Sequence, residues 1–221
     1  NAYGDQKGPI VRPSNQGVFS IWGEICGNYT CDGLNIQHIT PENGITLEPQ
    51  GKDVFSGING NTEFLKSIYL GDNKSLIYWQ DRRFSVPSQN LTYGIKFEDL
   101  NSLSENQDGV SLSENAYQSN ATIVSAGNNL FMGFDQTDGD INQFYDVLDN
   151  DLNSILGQST GVDPNNAYSQ PYYNIVFNEL ENLVYYIYSD NRDGSHNIYA
   201  QQFDIFGNPT WPSSIKIAET V

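Results

Sequence analysis

The chain has 221 residues, of which 27 are acidic and 10 basic, giving a formal net charge of −17. Nucleic-acid binding requires clustered Lys and Arg, so this charge excludes a nucleic-acid partner and disfavours an anionic membrane surface. No apolar run is long enough for a membrane-spanning helix, so we expect no membrane insertion.

The first candidate strands, Val18–Trp22 and Leu34–Ile39, flank the only cysteines of the chain, Cys26 and Cys31. The four residues between the cysteines are typical of a turn. We therefore predict a disulfide across this hairpin, which implies an oxidising compartment. A pair of unbonded thiols is the alternative, and a zinc site would need two further ligands.

The middle of the chain contains two further groups of candidate strands. One group includes Leu76–Gln80 and Leu91–Phe97, and the other includes Thr122–Ser125 and Leu130–Phe134. Each group is followed by the tetrapeptide Asp-Leu-Asn-Ser, which begins at positions 99 and 151. This repetition indicates that one structural unit occurs more than once.

The C-terminal stretch from Tyr172 to Val221 shows the clearest strand pattern. Short segments rich in β-branched and aromatic residues alternate there with turns of Gly, Asn, Asp and Pro. The segments are Asn174–Phe177, Leu183–Tyr188, Asn197–Phe203 and Ile215–Ala218. They are typical of a four-stranded antiparallel meander, which cannot bury both of its faces alone.

The whole chain divides into four imperfect copies of this unit, at 9–57, 65–115, 120–166 and 172–221. Periods of about 40–50 residues with four strands each are those of β-propeller blades. We therefore predict an all-β fold, a β-propeller of four four-stranded blades in a single domain over 1–221. A fragment of a larger propeller is the alternative. Equivalent positions on the second strands of the blades are predicted to be Trp22, Trp79, Gly133 and Tyr188.

The copies resemble the W-x-D-x-R…IYAQ…D-x-x-G-N-x-x-W repeats of secreted and surface β-propeller proteins of Bacteroidota, and the TolB-type propeller repeat. The resemblance is partial in the second copy, at Trp79, Asp81 and Arg83. It implies a secreted or surface propeller, but it implies no activity, because propellers host many functions. The matching residues of the fourth copy are Asp190, Arg192, Ile198, Tyr199, Ala200, Gln201, Asp204, Gly207, Asn208 and Trp211.

Two acidic turns occupy similar places in the third and fourth copies. Oxygen-rich turns of this kind can bind calcium, which takes six to eight oxygen ligands. Ordinary turn chemistry is the default interpretation, because Asp, Asn and Gly satisfy the backbone of tight turns. The candidate calcium ligands are Asp135, Asp138, Asp140, Asp190 and Asp193.

An Asp-x-Arg group occurs twice, as Asp81 with Arg83 and as Asp190 with Arg192. A carboxylate beside an arginine is compatible with a catalytic centre. A catalytic centre requires only one copy, however, whereas a brace between neighbouring blades should recur. We therefore predict a structural role for both pairs.

These features predict a secreted or cell-surface, non-enzymatic module that binds a protein or glycan partner. An accessory subunit of a surface or secretion assembly is a related possibility, and no cofactor other than calcium is expected. The alternative is a carbohydrate-active propeller hydrolase, although no Ser/His/Asp or Cys/His arrangement is identifiable. Five tyrosines outside the strand cores are candidates for stacking on sugars, although blade packing is the commoner role of such rings: Tyr3, Tyr117, Tyr168, Tyr172 and Tyr173.

Overall fold

The protein is all-β, without helices in the residues that the structure describes. Within these residues there is accordingly no helix that could cross a membrane. The computed structural model describes residues 4–26, 32–42, 44–45, 51–58, 63–81, 91–98, 103, 109–113, 118–138, 140–163 and 170–219.

The strands form four antiparallel sheets, each made from one consecutive stretch of chain. The first sheet contains β1 (Gly4–Ser14), β2 (Gly17–Cys26), β3 (Asp32–Thr40), β4 (Gly44–Ile45) and β5 (Lys52–Ile58). The second contains β6 (Glu63–Gly71), β7 (Lys74–Asp81), β8 (Leu91–Phe97) and β9 (Val110–Ser111). The third contains β10 (Gln118–Ala126), β11 (Asn129–Asp138), β12 (Asp140–Leu148) and β13 (Thr160–Gly161). The fourth contains β14 (Tyr173–Asn178), β15 (Leu183–Asp190), β16 (Asn197–Asp204) and β17 (Ile215–Ala218).

Four consecutive meanders are the arrangement that the four-blade prediction requires. The first sheet differs in having five strands, because β4 and β5 pair with different parts of the same edge of β3. The chain divides into two compact units, Asn1–Ser111 with the first two sheets and Leu112–Val221 with the last two. The single domain expected from the repeat stays a prediction.

Each unit has its own hydrophobic core between its two sheets. In the first unit, side chains of β2 and β3, including Ile21 and Leu34, pack against Trp79 and Ile95 of the second sheet. In the second unit, side chains of the third sheet such as Phe131 pack against the tyrosines and Phe203 of the fourth. In both units, therefore, one face of the earlier sheet is covered by the following sheet.

A cross-strand pair of stacked aromatic rings recurs between the second and third strands of three sheets. Such pairs contribute about 0.2–1 kcal/mol beyond an Ala pair. The pairs, with their ring-centroid separations, are Trp79–Tyr93 (6.3 Å), Phe134–Phe144 (6.1 Å) and Tyr188–Tyr199 (6.1 Å).

These pairs correct one of the predicted equivalences. Trp22, Trp79 and Tyr188 lie on the second strands of their sheets, as predicted. In the third sheet, however, the equivalent residue is Phe134, so the prediction of Gly133 was wrong by one position. Because side chains alternate along a strand, this shift moves the assigned position to the other face of the sheet.

Gly133 has a different role, which is to make room for the fourth sheet. A Cβ atom added there would lie 2.5 Å from Ile175 Cδ1 and 2.6 Å from Tyr186 Cε2. The carbonyl oxygen of Gly133 accepts a hydrogen bond of 2.7 Å from the Tyr173 hydroxyl. The absence of a side chain therefore allows the third and fourth sheets to approach closely.

Candidate functional site

The candidate site lies at one end of the third and fourth sheets, which we call the Arg192 edge. At this end β15 is joined to β16 through 191–196, and β14 begins. Asp190 ends β15, and Arg192 follows it in the turn. The turn is closed locally, because Asp190 Oδ1 accepts the backbone N–H of Arg192 at 2.7 Å.

Arg192 is the centre of a charged cluster at this edge. Its guanidinium donates to Asp190 Oδ2 at 2.6 Å and to Asp163 Oδ2 at 2.9 Å. A third hydrogen bond of 3.1 Å reaches the Tyr188 hydroxyl. The guanidinium carbon also lies 4.2 Å from the ring centroid of Tyr199, within cation–π range. Since Asp163 follows β13, this cluster joins the third and fourth sheets.

The cluster is largely shielded from water. The side chains of Asp190 and Asp163 are 0% and 4% exposed, and that of Arg192 is 21% exposed. Burial alone would favour the neutral acid, but hydrogen bonds from Arg192 and Gln170 outweigh it and lower the pKa of Asp190. Asp190 is therefore ionised at neutral pH, and both of its carboxylate oxygens accept hydrogen bonds from Arg192 or Gln170.

Two buried glutamines extend the cluster across to the third sheet. Gln170 donates to Asp190 Oδ2 at 2.8 Å and accepts the backbone N–H of Gln143 at 2.9 Å. Gln143 in turn donates to Asp135 Oδ1 at 2.6 Å and accepts the Tyr186 hydroxyl at 2.8 Å. Neither glutamine was predicted from the sequence. Gln143 is an uncharged polar residue within a strand and Gln170 lies outside the strands, and no periodic pattern marks either residue as buried.

A second, more exposed charged cluster lies in the same turn. Asp193 accepts the Tyr199 hydroxyl at 2.6 Å and the Lys216 ammonium at 3.0 Å. These hydrogen bonds lower the pKa of Asp193. Arg192 and Lys216 are the only basic residues of the second unit, against 14 acidic residues. Both basic side chains of this unit therefore form ion pairs at the Arg192 edge.

The five candidate calcium ligands do not form one group. Asp190 and Asp193 face cationic side chains, and Asp135 faces Gln143. The side chains of Asp138 and Asp140 lie outside the described residues. Among the residues that the structure describes, no three His, Cys, Asp or Glu side chains converge on a possible metal position. Calcium binding by the acidic turns stays a prediction.

Arg83, Cys31 and the side chains of Asp81 and Cys26 lie outside the described residues. The predicted disulfide and the predicted brace in the second sheet therefore stay predictions.

The Arg192 edge also presents an exposed aromatic ring. Tyr172, just before β14, is 74% exposed, and its carbonyl oxygen accepts the backbone N–H of Ser189 at 2.8 Å. The Ser189 hydroxyl lies 3.2 Å from Nδ1 of His196, which is exposed. An exposed aromatic residue, a hydroxyl and an imidazole thus occur at the same end of one sheet.

Comparison with known proteins identifies a fold but no family. No known family profile matches the sequence, and no curated protein is detectably similar to it. A thermostable family-43 glycoside hydrolase has 12% identity and a TM-score of 0.54 over all of this chain and 80% of that chain. An N-acetylgalactosamine deacetylase from F. plautii has 9% identity and a TM-score of 0.53 over 95% and 70%. The α-L-arabinofuranosidase Arb93A from Fusarium graminearum has 10% identity and a TM-score of 0.52 over 97% and 71%. Together with the four meanders, this similarity confirms the predicted all-β, four-bladed propeller fold.

Proposed function

We propose that this protein is a glycan-binding β-propeller that works outside the cell and holds a glycan at the Arg192 edge. The observation that carries the proposal is the exposed ring of Tyr172 at the end of the fourth sheet, where Tyr172 pairs through its backbone with Ser189, whose hydroxyl lies 3.2 Å from His196 Nδ1. Aromatic rings present flat apolar surfaces, and binding sites add a few polar groups that fix orientation. A sugar has an apolar face and a rim of hydroxyls, so this combination suits it.

The similar propellers point to the same class of ligand. By their descriptions, they are a glycoside hydrolase, a deacetylase of an amino sugar and an arabinofuranosidase. Since one fold can host many functions, these similarities raise the expectation of a carbohydrate ligand without assigning a reaction. They favour a glycan over a protein as the partner of this chain.

The ionisation of the described carboxylates favours recognition over hydrolysis. Canonical glycosidases combine an ionised carboxylate with a protonated carboxylic acid. At the Arg192 edge, Asp190 and Asp193 have lowered pKa values and are ionised at neutral pH. Burial raises the pKa of Asp146, but this residue hydrogen-bonds Ser154, which follows β12 at the opposite end of the sheet. Of these two carboxylates, only Asp193 is exposed enough to accept a hydrogen bond from a sugar hydroxyl, and neither is the protonated acid that such a mechanism requires.

Glycan hydrolysis is the second candidate function, favoured by the similarity to hydrolytic propellers. One experiment separates the two candidates: screening the purified protein on an array of plant, microbial and animal glycans, followed by an assay for released reducing ends. We expect retention of neutral oligosaccharides without release of product. Product release would establish hydrolysis instead, and the absence of any bound or cleaved glycan would overturn the proposal.

A further inference from the structure

The connections at the far end of the second unit from the Arg192 edge form one surface, which we call the Leu180 end. It comprises 149–156, which follow β12, 179–182, which join β14 to β15, and 205–208, which follow β16. The last two segments are neighbours, because register pairs Leu183 with Asp204. The first packs against the third, since a Cβ atom added at Gly207 would lie 3.3 Å from Leu156 Cδ2. Connections from both sheets of the unit therefore meet at this end.

Each of the three segments exposes one large apolar side chain. Leu180 is 99% exposed, Phe206 is 54% exposed and Ile155 is 42% exposed. Apolar side chains that lie on one part of a surface and are rimmed by polar groups mark a site for another molecule. Two of the three are aliphatic and have no flat ring for stacking on a sugar, so they suit the apolar side chains of a protein.

The turns that carry Leu180 and Phe206 are held in place by side-chain hydrogen bonds. Asn178 Oδ1 accepts the backbone N–H of Leu180 at 3.1 Å, and Asn178 Nδ2 donates to Glu181 Oε2 at 2.9 Å. Asp204 Oδ1 accepts the backbone N–H of Phe206 at 2.8 Å. Both apolar side chains are thus presented by ordered turns, which lowers the entropy cost of binding a partner.

Every charged side chain of the Leu180 end is acidic. The only basic residues of the second unit, Arg192 and Lys216, form their ion pairs at the opposite end. A surface of this charge attracts a cationic partner and repels a second copy of this acidic chain. The carboxylates of the three segments belong to Asp149, Asp151, Glu179 and Glu181.

We propose that the Leu180 end docks a basic segment of another protein. Apolar side chains of that segment cover Leu180, Phe206 and Ile155, while its Lys and Arg side chains face the surrounding carboxylates. The contact is small, so the complex is weak and transient, and added salt weakens it further. This interaction uses the end of the unit opposite to the Arg192 edge and is therefore independent of glycan binding there.

Fluorescence anisotropy of a labelled synthetic peptide of Lys and Leu, titrated with the full chain, tests this proposal. A Lys/Ser peptide carries the same charge without apolar side chains, and a Glu/Leu peptide reverses the charge. We expect the Lys/Leu peptide to bind at least about tenfold more tightly than either control peptide. Raising the salt from about 50 mM to about 300 mM should weaken this binding several-fold, because added ions screen the attraction.

Replacing Leu180 and Phe206 together by Ser should raise the dissociation constant of the Lys/Leu peptide at least about tenfold, because both apolar anchors are lost. The matched control replaces Val176 and Ile215 by Ser. These two side chains are 52% and 47% exposed on strands of the same sheet, outside the Leu180 end, so the control should bind as wild type does. If the first double variant melts at a lower temperature than wild type, Leu180→Ser alone repeats the test at an almost fully exposed position.

Salt-sensitive binding of the Lys/Leu peptide that is lost in the Leu180/Phe206 variant and kept in the control variant supports the proposal. Absence of binding, equal binding of the Lys/Ser peptide, or equal loss in both variants overturns it. Sedimentation velocity of wild type and of the Leu180/Phe206 variant covers the remaining occupant. Self-association of wild type that the variant lacks would assign this surface to a second copy of the chain and would also overturn the proposal.

Discussion

Replacing Arg192 by Ala tests whether the buried cluster braces the third and fourth sheets. The substitution removes the guanidinium that both Asp190 and Asp163 contact. It leaves two carboxylates, 0% and 4% exposed, without their cationic partner. A brace predicts a loss of stability, whereas a catalytic arginine would predict lost turnover at unchanged stability.

The expected size of the effect follows from this burial. Removing one partner of a buried ion pair costs about 3–5 kcal/mol, and the partly exposed guanidinium of Arg192 places it near about 3 kcal/mol. A loss of 1 kcal/mol lowers the Tm of a domain of this size by roughly 2–4 °C, so we expect a drop of about 6–12 °C. Thermal unfolding followed by circular dichroism measures this drop. Lys216→Ala is the control, and its Tm should stay close to that of wild type because the Lys216–Asp193 pair is solvent-exposed.

The pH dependence of the Tm difference between wild type and Arg192→Ala tests whether the effect arises from charge. The lowered pKa of Asp190 contributes stability that is fully present above about pH 4 and is lost as the pH falls through the folded-state pKa. In Arg192→Ala, the buried carboxylates of Asp190 and Asp163 have no cationic partner, so their pKa values are raised. Acidification therefore protonates them at a higher pH than in wild type and removes the cost of burying their charge. The Tm difference should therefore shrink between pH 7 and pH 4. An unchanged Tm, or a difference that is independent of pH, would refute the brace.

Two further predictions follow from close packing and from the cysteines. Gly133→Ala should destabilise the protein by about 1–3 kcal/mol in chemical denaturation, because the new methyl group would overlap Ile175 and Tyr186; an unchanged denaturation midpoint would contradict this packing. Alkylation followed by intact-mass measurement, with and without prior reduction, tests the disulfide. We expect Cys26 and Cys31 to be alkylated only after reduction, and two alkylatable thiols in the unreduced protein would contradict the disulfide.

The fold could be predicted from the sequence because repeated units of about 50 residues with four strands each are typical of propeller blades. Recurring aromatic positions such as Trp79 and Tyr188 mark the same place in different sheets, and both lie on second strands as predicted. In the third sheet, the predicted equivalence of Gly133 with Tyr188 also implied that Asp135 corresponds to Asp190, since each Asp lies two positions further on. Register instead pairs Phe134 with Phe144, and Asp135 consequently lies on the opposite face. One residue decides this outcome, because side chains alternate along a strand.

The sequence indicated only part of the site. The motif around Asp190 and Arg192 pointed to an ion pair, but its third member, Asp163, lies in the preceding sheet, 29 positions before Arg192. Gln143 and Gln170 likewise join the network only through tertiary packing. Hydrogen bonds between sheets are fixed by how the sheets pack, and the strand pattern of either sheet alone carries no information on them.

Isothermal titration of the array's best oligosaccharide into wild type, Tyr172→Ala and Phe206→Ala tests the carbohydrate proposal most directly. Phe206 is the matched control, because it is also an exposed aromatic residue of the fourth sheet, 54% exposed, but lies in the turn after β16 at the opposite end. Truncating an aromatic residue that anchors a ligand costs more than about 1 kcal/mol, so we expect Tyr172→Ala to weaken binding by roughly fivefold or more and Phe206→Ala to leave it unchanged. Equal affinity in wild type and Tyr172→Ala would contradict the placement of the glycan at the Arg192 edge.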